Sequence, residues 1–222
     1  MNQETHRYIF DEKIATPLCE IMGRNKSDKG HINILTVKHN YTTLYHYLFK
    51  ELQFAPLKIF ELGLGTNNIN LPSSMGPNGR PGASLYGWAE YFPNASIYGA
   101  DIDTNILFNT DRIRTYYCDQ RKPNVIENMW RNPDLATDFD IIIEDGLHSF
   151  SANICFFDNS IHKLAVGGYY IIEDIIKDEI HLFVDVIETW KIKHSNLTFN
   201  LISIPCLIND YDNTVLVVKR IA

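Results

Sequence analysis

The chain has 222 residues, 45% of them hydrophobic, with 27 acidic against 20 basic side chains and a net charge of −7. That length suits one α/β domain with a small extension, and an acidic balance without any basic run or stripe argues against nucleic acid as substrate or partner. Residues 1–13 carry no apolar leader-like core and no span of about 18 apolar residues occurs, so a cytoplasmic protein without membrane insertion is expected.

In chain order, residues 1–55 have the texture of a helical cap near the substrate, with a polar loop at NKSDKGH and a helix expected over Thr42 to Phe54. From residue 56 to 222 apolar, β-branched runs alternate with helix-period segments, which is the signature of repeated βα units and a parallel sheet. Strands are expected at Leu57 to Leu62, Ser96 to Asp101, Ile113 to Cys118, Phe139 to Ile143 and Gly168 to Ile172. Helices are expected near Leu85 to Phe92, Asn124 to Trp130, Ser151 to Leu164 and Glu179 to Lys193. Two last strand-like runs, Phe199 to Ile204 and Thr214 to Val218, flank a turn-rich segment and predict an antiparallel end to the sheet. The fold class is therefore α/β, a Rossmann-like sheet, mostly parallel, with helices on both faces. Cys19, Cys118, Cys155 and Cys206 are scattered without a CxxC pair and read as reduced, structural thiols.

One connection is abnormal. TNNINLPSSMGPNGRPGA, residues 66–83, is longer than most loops in compact domains and sits at the carboxyl end of the first strand, where a lid or substrate-contacting element is expected.

Two acidic strings follow strand-like runs directly: EDGLH, containing Asp145 and His148, and Glu173–Asp174. Carboxyl ends of neighbouring parallel strands converge on one crevice, which would gather Asp145, Glu173, Asp174 and His148. Three carboxylates left together repel one another, and a divalent cation is the simplest partner. The competing reading is that these acids only cap the helices that follow.

The first strand ends in FELGLG, where Gly63 and Gly65 allow a tight turn and close approach to a ligand. A dinucleotide fingerprint would need a third glycine opening into a helix, but position 68 is Asn. Asp101 ends the second strand, placed to accept hydrogen bonds from ribose hydroxyls, and Asp119–Gln120 end the third, placed to read an adenine edge. Phosphate-free recognition of a nucleoside fits S-adenosylmethionine better than NAD. An ordinary strand-end turn is the alternative for Asp101.

With these motifs in place the chain resembles the class I methyltransferases, and among them the macrocin and mycinamicin type sugar O-methyltransferases. The resemblance rests on ELGLG, SLYGW at Ser84 to Trp88, YGADID, the DQ, the DG-x-H and the ED in that order, with SDKGH and HNYTTLY upstream. It implies an S-adenosyl-L-methionine-dependent, Mg2+-dependent transferase that releases S-adenosylhomocysteine. Asp145, Glu173 and Asp174 would be the metal ligands and His148 the base. Glu61, Gly63, Gly65, Asp101, Asp119 and Gln120 would line the cofactor pocket. Asn67 stands where many methyltransferases place a further glycine, so the loop path departs from the pattern.

A sugar hydroxyl is a very weak acid. Chelation by magnesium and proton removal by His148 would together supply the assistance that transfer needs. His31, His39 and His46 lie in the cap and read as surface histidines, with contact to the acceptor as the other possibility. The expected acceptor is a sugar or nucleotide sugar, with a bacterial surface polysaccharide of capsule type or its nucleotide-activated precursor preferred, and a homo-oligomer is expected. The alternatives are a cephalosporin hydroxylase-like metal enzyme on the same scaffold, or a non-catalytic adenosine-binding subunit.

Overall fold

The computed structural model describes residues 15–32 and 38–222. The parts of the expected cap at 1–14 and 33–37, including the segment read for a leader, lie outside them. Seven strands form one sheet: β1 Lys58–Leu62, β2 Ser96–Asp101, β3 Ile113–Tyr117, β4 Phe139–Glu144, β5 Leu164–Ile172, β6 Leu197–Ser203 and β7 Thr214–Arg220. Their order is β3-β2-β1-β4-β5-β7-β6, and β7 alone runs antiparallel to its neighbours, β5 and β6. The helices are α1 Pro17–Asn25, α2 Tyr41–Phe49, α3 Ala83–Tyr91, α4 Pro123–Trp130, α5 Phe150–Ser160 and α6 Ile180–Lys193. Among the described residues no helix is long and apolar enough to cross a membrane.

Strand residues alternate between the two faces, so one sheet supplies two cores. Ile59, Ile97, Ile141, Ile143, Ile171 and Val217 pack with α1, α2 and α3, whereas Phe60, Leu62, Ala100, Ile142, Ile172 and Val218 pack with α4, α5 and α6. The described part of the cap therefore shares a core with the sheet: Leu18, Met22, Leu44 and Phe49 lie in one cluster with Ile59 and Trp88.

Several element boundaries differ from expectation. The fifth strand begins at Leu164 rather than Gly168, because α5 stops at Ser160 and a 3-10 turn at Ile161–Lys163 delivers the chain to the sheet. The pairing of β4 with β5 is irregular between Phe139 and Ile141, opposite the glycines at 167 and 168. α2 ends at Phe49, short of Phe54, and tightens into a 3-10 turn at Lys50–Leu52. α1 was not foreseen. Thr16 caps it through its side chain, Pro17 opens it, and left-handed Lys26 closes it with Ser27 N donating to Met22 O. That closure turns the chain toward the strand ends at Ser27 to Gly30.

Candidate active site

A cavity of about 240 Å³ opens at the carboxyl ends of the parallel strands, lined by Gly63, Gly65, Asp101, Asp119, Gln120, Asp145, His148 and Asp174. Its floor depends on Gly63, which has φ 89° and no room for a side chain: a Cβ there would lie 1.8 Å from the Asp145 carbonyl oxygen. The long loop after β1 supplies Leu71, Pro72, Ser73, Met75 and Arg80 to the wall. Asn67 fixes its path, donating from Nδ2 to the carbonyls of Gly76 (2.5 Å) and Gly79 (3.0 Å), and Ser73 Oγ donates to Leu147 O beside His148.

Asp101 is buried, with Oδ2 accepting from Leu64 N (2.7 Å) and Oδ1 from Asp103 N (2.8 Å). Its carboxylate thus also holds the glycine turn in place. Asp119 is gripped by Arg121 Nε (2.9 Å) and Lys122 Nζ (3.0 Å), and Arg121 leads in holding its carboxyl down to about 2. Gln120 accepts from Leu147 N (2.7 Å) and donates to Glu144 (2.9 Å), so it braces the turn carrying His148 as well as lining the cavity.

Glu61 is a correction. It does not line the cavity, because its carboxylate is buried against Ser84 Oγ and Trp88 Nε1, tying β1 to α3.

The acid strings do converge, but not as expected. Asp145 Oδ1 lies 3.1 Å from His148 Nε2, and Asp174 Oδ2 lies 3.2 Å from the same nitrogen. Asp145 Oδ2 accepts from Lys29 Nζ at 2.5 Å. Glu173, however, turns inward and gives its two oxygens to Lys29 Nζ and the Tyr45 hydroxyl. Asp174 Oδ1 accepts from the Tyr41 hydroxyl and lies 3.3 Å from His39 Nδ1. The repulsion foreseen among the acids is relieved in part from within the chain, by an ammonium.

These contacts set the charge states. Burial by itself would lift the Asp145 carboxyl, but Lys29 and His148 hold it below the ordinary carboxylate range. Burial raises Glu173 and Asp174, with Lys29 opposing this at Glu173 and His148 at Asp174. His148 is pushed up to about 10: burial favours its neutral form, and Asp145 and Asp174 outweigh it.

One donor atom each from Asp145, His148 and Asp174 lies within 4.8 Å of the others, a spacing that suits a divalent cation. Glu173 is outside that group. Oxygen donors with one imidazole fit magnesium or manganese, so the expected metal agrees with the residues present, and Glu173 lies beside this group on Lys29 and Tyr45.

Sequence reasoning missed Lys29, Tyr41, Tyr45 and His39 as members of the site. All four fall within SDKGH and HNYTTLY, so the strings were visible although the contacts were not. His39 is buried against Tyr41 and Asp174 rather than at the surface, and His46 bonds to Tyr91 through Nδ1 (2.8 Å).

No family model matches the chain. It is 30% identical over 158 residues to the 8-demethyl-8-(2-methoxy-alpha-L-rhamnosyl)-tetracenomycin-C 3'-O-methyltransferase of Streptomyces olivaceus, covering 71% of this chain and 36% of the relative. It is 29% identical over 137 residues to the mycinamicin VI 2''-O-methyltransferase of Micromonospora griseorubida, covering 62% of this chain and 32% of the relative. The chain thus spans about a third of the length of these curated relatives. Among solved structures it is similar to the MycE methyltransferase from the mycinamycin biosynthetic pathway in complex with Mg, SAH and mycinamycin VI. That match has a TM-score of 0.68 at 22% identity, over 94% of this chain and 55% of that one. Sheet order, strand-end motifs and these likenesses together make the chain a class I methyltransferase-fold protein related to the macrocin and mycinamicin type sugar O-methyltransferases.

Proposed function

We propose that the chain transfers a methyl group from S-adenosylmethionine to a sugar hydroxyl in a magnesium-dependent reaction. One observation carries this reading: the cavity that contains Asp101 and Asp119 also contains Asp145, His148 and Asp174, so a nucleoside-binding wall and a cation-competent group share one space. The relatives are named as sugar-directed O-methyltransferases, and the solved neighbour holds Mg and SAH, which supports the same cofactors here.

Asp101 presents lone pairs to the ribose, and Gly63 and Gly65 let the backbone approach the cofactor. Asp145 and Asp174 would hold the ion beside His148. A magnesium ion there would supply Lewis-acid polarisation of the acceptor. With a cation held by Asp145 and Asp174, His148 would serve as base, since without the cation those two acids hold its proton. General-base assistance is worth about 10²- to 10⁴-fold. The loop from Thr66 to Gly82 lines the cavity, where it would help exclude water during transfer.

For the acceptor we propose a sugar of a bacterial surface polysaccharide or its nucleotide-activated precursor. A second reading, a sugar on an apolar aglycone, is favoured by the relatives named for rhamnosyl-tetracenomycin and mycinamicin VI. The test is release of S-adenosylhomocysteine with nucleotide sugars, capsule oligosaccharides and antibiotic glycosides as acceptors. Methylation of the third class alone removes the polysaccharide reading. Cofactor binding without transfer to any sugar leaves a binding subunit, and oxidation of an acceptor without transfer leaves the hydroxylase-like reading.

A further inference from the structure

Glu144 is fully buried at the end of β4, outside both the cavity lining and the group of Asp145, His148 and Asp174. Three donors converge on its carboxylate. Gln120 Nε2 (2.9 Å) and Gly146 N (3.3 Å) reach Oε1, and Asn153 Nδ2 (2.5 Å), from α5, reaches Oε2. Gly146 N is a backbone group that can only donate, which fixes Oε1 as an acceptor. Asn153 keeps its amino group on Glu144 although its own buried Oδ1 has no hydrogen-bond partner among the described residues.

Gln120 is thereby held from two sides. Its Nε2 donates to Glu144, and its Oε1 accepts from Leu147 N (2.7 Å), a second backbone donor whose role cannot be inverted. Gly146 leaves the room this needs, since a Cβ there would fall 1.8 Å from Gln120 Oε1. Turning the carboxamide over would set Nε2 against Leu147 N and Oε1 against Glu144 Oε1, a donor on a donor and an acceptor on an acceptor. Each buried mismatch of that kind favours the observed orientation by about ten-fold or more. One hydrogen of Nε2 and one lone pair of Oε1 stay free, on a side chain that lines the cavity. A 6-aminopurine offers an amino hydrogen and an N1 lone pair, which match them. A 6-oxopurine offers the reverse, an oxygen and an N1 hydrogen, and matches only a carboxamide turned over.

We propose that Glu144 is a positioning residue that locks the Gln120 carboxamide in one orientation and so makes the cofactor site select a 6-aminopurine over a 6-oxopurine. This rests on the S-adenosylmethionine reading of the site, with Gln120 at the adenine edge. Glu144 never touches the nucleoside and acts through Gln120 alone.

The experiment is calorimetric titration of the full chain with S-adenosylhomocysteine and with S-inosylhomocysteine, whose base carries oxygen in place of the amino group. Wild type, Gln120→Leu, Glu144→Met and Glu144→Gln are compared. Wild type is expected to prefer the adenine compound by about 10²-fold or more, the product of the two mismatches. Glu144→Met should cut that preference by about ten-fold or more, since Leu147 N alone then orients the carboxamide. Glu144→Gln keeps an acceptor for Gln120 and Gly146, while Asn153 can turn its free Oδ1 toward the new amide, so its preference should stay within about three-fold of wild type. An unchanged preference in folded Glu144→Met, or one lost equally in Glu144→Gln, overturns the role of Glu144. Loss of the preference in Gln120→Leu then leaves the adenine contact standing. A preference absent from wild type, or surviving in Gln120→Leu, overturns the contact and the proposal together. Binding of neither compound by wild type overturns the cofactor reading as well. Should Glu144→Met not unfold cooperatively, Glu144→Asp decides, because it withdraws the carboxylate by one methylene. A reduced preference there supports the proposal and an unchanged one overturns it.

Discussion

His148 and Asp174 both hold a left-handed backbone, at φ 55° and 52°, and their side chains meet at 3.2 Å. Neither is glycine, so each conformation costs about 1–2 kcal/mol that its surroundings must offset. Gln120, which grips Leu147 N, and the phenol of Tyr41 on Asp174 are the restraints that hold these two turns. Strain of this kind gathers where side chains must be aimed at a ligand.

The first prediction follows from that strain. At both positions glycine should be tolerated better than alanine, by about 1 kcal/mol, reversing the usual order, because only glycine adopts φ near 50° freely. Thermal unfolding of His148→Gly against His148→Ala, and of the same pair at Asp174, measures it. Alanine proving the more stable at either site would mean the turn relaxes. All four variants should lose at least about 10²-fold in turnover if His148 and Asp174 act as argued.

The second prediction concerns the ligands. Exhaustive chelation should stop transfer and magnesium should restore it. Asp145→Asn and Asp174→Asn should each lose at least about ten-fold in divalent affinity, whereas Glu173→Gln should lose less, since its oxygens already serve Lys29 and Tyr45. Calorimetric titration that finds Glu173→Gln as damaging as Asp145→Asn would return Glu173 to the ligand set.

The third separates recognition from architecture at Asp101. Asp101→Ala should weaken S-adenosylhomocysteine binding and also cost about 1–3 kcal/mol of stability, because the buried amides of Leu64 and Asp103 lose their acceptor. Asp101→Asn keeps an acceptor oxygen and should recover part of the stability but not the affinity. Unchanged affinity in Asp101→Asn, with its fold verified by circular dichroism, would remove the carboxylate from ribose recognition.

The fourth is a pH dependence. Arg121 and Lys122 hold the Asp119 carboxyl down to about 2, from an ordinary 3.8. A depressed acid stabilises the folded state fully above its unfolded value, and the contribution is lost as pH falls through the folded one. Wild type should therefore exceed Asp119→Asn in urea resistance at pH 5, and the gap should close as the pH approaches 2. A gap that persists at pH 2 would show that the ion pairs do not set it.

The strands were legible because β-branched runs ending in Asp101, Asp119 and Asp145 report both a pleated strand and the end of it. The positions of Gly63 and Gly65 were legible for a similar reason, since each takes a positive φ that few other residues tolerate. α1 was not legible: its stability comes from Leu18 and Met22 packing into the core beneath α3, a tertiary gain that its short apolar pattern does not announce.

The sequence by itself determined the order of the βα units, the glycine turn and the arrival of acids at neighbouring strand ends, because each depends on local periodicity and backbone sterics. Which way those acids face was decided by the tertiary structure. Side chains at successive strand positions point to opposite faces, so Glu144, in register with Ile172, is held by Gln120 and Asn153, whereas Asp145 and Glu173, one position on, both reach Lys29. The counter-charge came from Lys29, more than a hundred residues away along the chain from Asp145. No periodicity connects such a pair. Only packing α1 and α2 onto the sheet brings the ammonium and the two phenols to the carboxylates, because burying those charges is tolerable only where each finds its partner.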